Sequence, residues 1–87
     1  MINNDSNNPQ ILFLLGTAYV QIEKTTQGID YLKKSLLLET NNASAHSNLG
    51  NAYKNLNRND EALASYDKAI QINPNLKSNT LRPEVTR

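Results

Sequence analysis

The sequence has no cysteine, which removes disulfides and thiolate metal sites as sources of stability. It has a single histidine, His46, and so no second His or Cys at metal-ligand spacing. No metal and no cofactor are expected. It has no excess of charge of either sign: nine basic residues against eight acidic ones leave +1. That balance offers no electrostatic footprint for nucleic acid or an acidic membrane, and neither is expected as a partner. No apolar run approaches the roughly 20 residues that span a bilayer. The opening MINNDSNNP has no basic region followed by an apolar one, so no secretory signal is expected and the expected setting is cytoplasmic. No Gly-rich loop of the phosphate-binding type follows a strand, and no strands are expected. Asp30, Asp60, Glu61 and Asp67 fall on solvated helix faces, and His46 falls at a helix position that normally packs. An enzyme is not expected.

What the sequence does contain is a repetition. LGTAY at Leu15–Tyr19 returns as LGNAY at Leu49–Tyr53, 34 residues later, and a period of this length signals an array of helix pairs. Pro9 suits a first helical turn. From Gln10 to Ile22, Leu12, Leu15, Tyr19 and Ile22 recur on one helical face. Gly16 inside that helix costs about 1 kcal/mol against Ala, which points to close approach of a neighbouring helix. A polar connection, Glu23–Thr26, follows, and Thr25 or Thr26 is placed to cap a second helix over about Gln27–Glu39. Thr40, Asn41 and Asn42 make the turn out. A third helix covers about Ala43–Leu56. The short loop Asn57–Asn59 implies antiparallel neighbours. Asn59 is a good N-cap, and Asp60 and Glu61 complement the positive end of a fourth helix. That helix ends near Ile72, before Pro74. In the same register Pro83 would fall where Leu15 and Leu49 fall, which forbids a third copy of the pattern. The expected organisation is a disordered N-terminal tail (1–8), repeat 1 (9–42), repeat 2 (43–76) and a C-terminal tail (77–87), with a short helical turn within 76–81.

The second copy resembles the tetratricopeptide repeat. Asn48-Leu49-Gly50-Asn51-Ala52-Tyr53, Glu61-Ala62-Leu63, Tyr66, Ala69 and Asn73-Pro74-Asn75 match that family's consensus at its spacing. The first copy matches through Leu15, Gly16, Ala18, Tyr19, Leu32 and Ser35. It departs at Gly28, where Ala is usual, and at Thr40, which replaces the closing Pro. Together the two copies cover about 68 of the 87 residues. The resemblance implies an all-α fold of four helices, two antiparallel helix-turn-helix repeats stacked as an α-solenoid. Gly16 and Gly50, with Gly28 and Ala62 opposite them, would let the helices of each pair pack closely. Tyr19, Tyr53 and Tyr66 would be core. The resemblance also implies a concave face lined by the first helix of each repeat, where relatives commonly bind a peptide or a partner's helix.

In that register the first repeat presents Gln10, Phe13, Leu14, Thr17, Val20 and Gln21, and the second Ser44, Ser47, Asn48, Asn51, Lys54 and Asn55. The candidate peptide contacts are Phe13, Thr17, Val20, Asn48, Asn51, Lys54 and Asn55. Amides both donate and accept, so Asn48 and Asn51 suit a peptide main chain of any sequence. Phe13 and Val20 lie off the Leu12 face and read as an exposed apolar partner surface. The subclass that grips chaperone C-termini carries Lys and Asn where this chain has Phe13 and Thr17, so the resemblance does not extend to it. A non-enzymatic protein-interaction module is the leading expectation. The alternatives are a self-associating structural unit, by end-to-end stacking or helix exchange, and a fragment of a longer array.

Overall fold

A computed structural model describes residues 8–75 as four α-helices. These are α1 (Pro9–Gln21), α2 (Thr25–Leu38), α3 (Ala43–Asn55) and α4 (Asn59–Ile72). No strand occurs among the described residues. The expected disorder over residues 1–7 and the helical turn within 76–81 fall outside them.

The helices start in two ways, which alternate. The α1 and α3 helices open on asparagine caps. Asn8 Oδ1 accepts from Gln10 N at 2.9 Å, and Asn42 Oδ1 accepts from Ala45 N at 3.0 Å. Asn8, the last residue of the tail expected from sequence, thus caps the first helix. The α2 and α4 helices have no side-chain cap. Lys24 and Arg58 hold their N-cap positions, and Thr25 and Asn59, expected as caps, lie one residue inside.

The reason is the way the preceding helix ends. Glu23 and Asn57 take left-handed backbone, at φ 69° and 62°. Lys24 N then donates to Tyr19 O at 2.8 Å and Glu23 N to Val20 O at 3.1 Å. Arg58 N donates to Tyr53 O and Asn57 N to Lys54 O, each at 2.9 Å. This pair of bonds is the Schellman closure of a helix C-terminus. It leaves no spare residue, so the last residue of one motif starts the next helix. The carbonyls of Lys24 and Arg58 already accept from Gly28 N and Ala62 N at 3.0 Å.

Within each pair the helices touch at backbone distance. A Cβ on Gly16 would lie 2.7 Å from Leu32 Cγ and 2.9 Å from Gly28 O. In the second pair the Tyr66 ring takes this space, 2.8 Å from where a Gly50 Cβ would stand. One core joins the pairs: Ile29 and Leu32 from α2, Leu49, Ala52 and Tyr53 from α3, and Ala62 from α4. Burying a Leu or Ile completely contributes about 1.5–3 kcal/mol. Ser35, fully buried, donates its hydroxyl to Pro9 O at 2.8 Å, so the start of α1 is tied to α2 without an unpaired polar atom.

Two expectations for α1 are corrected. Leu15 and Ile22, set on the Leu12 face by their spacing, are 40% and 60% exposed. Phe13 and Val20, read as exposed, are half-buried and pack against the core. For Leu15 the cause is position in the array: Leu49, its equivalent in α3, is 7% exposed, and no described helix covers that side of α1. Leu56, the equivalent of Ile22, is exposed in α3 as well, and Phe13 and Val20 turn toward the core. Tyr19, read as core, is half-buried and stacks on Tyr31 with ring centroids 5.2 Å apart.

Candidate functional site

The α1 and α3 helices both pack on α2 and touch each other only slightly. Between them lies a depression of about 110 Å³, lined by Thr17, Val20, Gln21, Asn48 and Asn51. Each lining residue comes from the first helix of a repeat. None is charged, so the walls offer neutral hydrogen-bonding groups and one apolar side chain.

The polar walls are positioned by bonds within the protein. Asn48 Nδ2 donates to Thr17 Oγ1 at 2.9 Å, and Thr17 Oγ1 donates to the carbonyl of Phe13 at 2.9 Å. The relay fixes the direction of the Thr17 hydroxyl and turns its lone pairs toward Asn48. The Asn48 side chain keeps its second N–H and its carbonyl oxygen for an outside partner. Asn51 Oδ1 accepts from the Tyr66 hydroxyl, which leaves its NH₂ group as a donor. Burial pushes the Tyr66 phenol above its ordinary pKa, so it remains a donor through neutral pH.

Of the residues expected to contact a peptide, Thr17, Val20, Asn48 and Asn51 come together here, with Gln21 as a fifth wall. Phe13 does not line the depression: its ring serves the core. Lys54 and Asn55 are exposed at the end of α3, outside its walls. Tyr66 was read only as core. Its second role, orienting Asn51, was open to inference because a phenol at the edge of a core needs a hydrogen-bond partner.

Elsewhere the chemistry is sparse. His46 Nε2 lies 3.1 Å from Thr40 O on the turn between the repeats. Arg58 meets Glu61 at 2.7 Å and 2.8 Å in a two-point ion pair. The bonding from Glu61 raises the guanidinium pKa further. Among the described residues no cluster of His, Cys, Asp and Glu could hold a metal ion. No described helix is long and apolar enough to cross a membrane.

Stacked helix pairs with an uncharged, amide-lined inner face define the chain as an α-solenoid repeat protein. Models of the tetratricopeptide repeat match residues 9–42 and 43–76, and the chain belongs to the tetratricopeptide repeat family. Two solved structures similar to it are crystal structures of MamA. One is 30% identical with a TM-score of 0.78, over 79% of this chain and 40% of that one. The other is 31% identical with a TM-score of 0.78, over 80% of this chain and 38% of that one. The chain thus spans about two fifths of the length of the MamA chains it matches. No curated protein matches the sequence. As a member of this family the chain is a protein-interaction repeat module, and such modules are generally non-enzymatic.

Proposed function

We propose that the depression between α1 and α3 receives the main chain of an extended segment of a partner protein, and that Asn48 makes the central contact. The observation that carries this reading is the bond from Asn48 Nδ2 to Thr17 Oγ1. It holds the amide in one orientation and leaves one donor and one acceptor free. An extended peptide offers the complementary pair, a C=O and an N–H, at every residue whatever its sequence. A preoriented amide also avoids the rotamer entropy that a mobile one would lose on binding. The Asn51 NH₂ group, held by Tyr66, supplies a second donor one helical turn along. Val20 offers methyl groups to a small apolar side chain of the ligand. Lys54 and Asn55 flank the path at the end of α3 and contribute peripheral contacts.

Capture from a pool of extended peptides tests the assignment. Asn48→Ala should reduce capture at least tenfold with the helix content unchanged. Thr17→Val, which removes the hydroxyl but keeps the shape, should give an intermediate loss by freeing the amide. If both variants capture as much peptide as the wild type, the groove assignment is wrong.

A further inference from the structure

The two halves of the interface between α2 and α3 each recur 34 residues away on an exposed face of a described helix. Inside the chain, Ile29 of α2 packs in one cluster with Leu49 and Ala52 of α3. All three are buried, at 6%, 7% and 0% exposure. Thirty-four residues before Leu49 and Ala52 stand Leu15 and Ala18, on the outer face of α1. Thirty-four residues after Ile29 stands Leu63, on the outer face of α4. Leu15 is 40% exposed, Leu63 is 62% exposed, and Ala18 is exposed. The residue types are conserved between the buried and exposed halves: Leu for Leu, Ala for Ala and Leu for Ile. The α1 helix carries no charged residue, so docking on it desolvates no charge of that helix.

We infer that the outer face of α4 in one copy of this chain docks on the outer face of α1 in a second copy, and that this contact repeats the α2–α3 interface. Leu63 takes the place of Ile29, and Leu15 and Ala18 take the places of Leu49 and Ala52. The two faces differ, so the contact is head-to-tail. Each added copy exposes the same two faces again, and the assembly is open-ended instead of closing as a symmetric dimer. The concave face stays open along such a stack, because docking uses the ends of the array.

Sedimentation equilibrium of the whole chain tests this. The wild-type average mass should climb with concentration from 9.7 kDa without levelling at twice that value. Ala18→Arg blocks one face and Leu63→Arg the other, and both positions are exposed in the single copy, so folding should be unaffected and helix content by circular dichroism checks it. Each variant alone should remain at 9.7 kDa. An equimolar mixture should form a dimer and stop there, because one intact face of each kind remains. A wild type that stays monomeric to its solubility limit overturns the inference, including the case in which residues 76–87 of the same chain cover Leu63. A wild type that levels at a dimer, or a mixture of variants that stays monomeric, overturns it equally.

Discussion

Glu23 and Asn57 hold the same left-handed backbone at equivalent places in the two repeats, but they hold it at different cost. Asparagine tolerates this region, whereas glutamate meets the steric penalty of about 1–2 kcal/mol that its Cβ imposes. Part of that penalty is offset by the greater chain entropy a glycine loses on folding. Glu23→Gly should therefore stabilise the fold by about 0.5–1 kcal/mol in urea unfolding. The same change at Asn57 should gain less. Tyr66 provides a second test at this scale. Its folded-state pKa is raised by burial above the ordinary 10.0. The folded chain thus keeps a proton that the unfolded chain releases, so the contribution of Tyr66 to stability is constant below about pH 10 and is lost as pH rises through its folded-state pKa. Tyr66→Phe should remove this part of the alkaline loss. Melting temperatures of both proteins across the alkaline range would show it, and parallel curves would refute it.

At the scale of elements, the two helix pairs use different small-residue contacts. Gly16 faces Leu32 and the backbone of Gly28 at 2.7–2.9 Å from an added Cβ, and backbone cannot step aside. Gly16→Ala should destabilise the fold by about 1–3 kcal/mol in spite of alanine's better helix propensity. At Gly50 the obstacle is only the Tyr66 ring. The cost of Gly50→Ala should be smaller and should coincide with loss of the Tyr66–Asn51 bond. Denaturant midpoints of the two variants order these costs. The elements themselves were legible in the sequence, because Pro9, Asn42, Pro74 and the Leu-Gly-x-Ala-Tyr repetition punctuate them. The helix starts at Thr25 and Asn59 were not. Their cap-forming side chains suggested a role that the Schellman bonds of Lys24 and Arg58 had already filled. That backbone motif leaves little mark on residue type at Glu23, whereas Asn57, a residue that tolerates left-handed backbone, did carry the signal in the second repeat.

At the scale of the molecule, register decided what the sequence could reveal. The resemblance to the tetratricopeptide repeat implied an inner face carrying Thr17, Val20, Asn48 and Asn51, and the structure brings these four together around one depression. Periodicity within α1 alone misled. It grouped Leu15 and Ile22 with Leu12 and set Phe13 and Val20 outside, because a helical wheel does not record which neighbours a helix has. Among the described helices α1 lacks the neighbour that buries Leu49, the equivalent of Leu15, in α3, whereas Leu56, the equivalent of Ile22, is exposed in α3 too. The relay from Asn48 through Thr17 to Phe13 O was also beyond reach, since it depends on the spacing of two helices 31 residues apart in sequence. That relay turns a solvated asparagine into an oriented one, and the proposed peptide contact rests on it. The most direct test is amide chemical-shift mapping of the intact chain as a pool of extended peptides is added. The side-chain NH₂ signals of Asn48 and Asn51, with the backbone signals of Thr17, Val20 and Gln21, should shift together and saturate. Saturable shifts confined to other surfaces, with these five residues unmoved, would contradict the account.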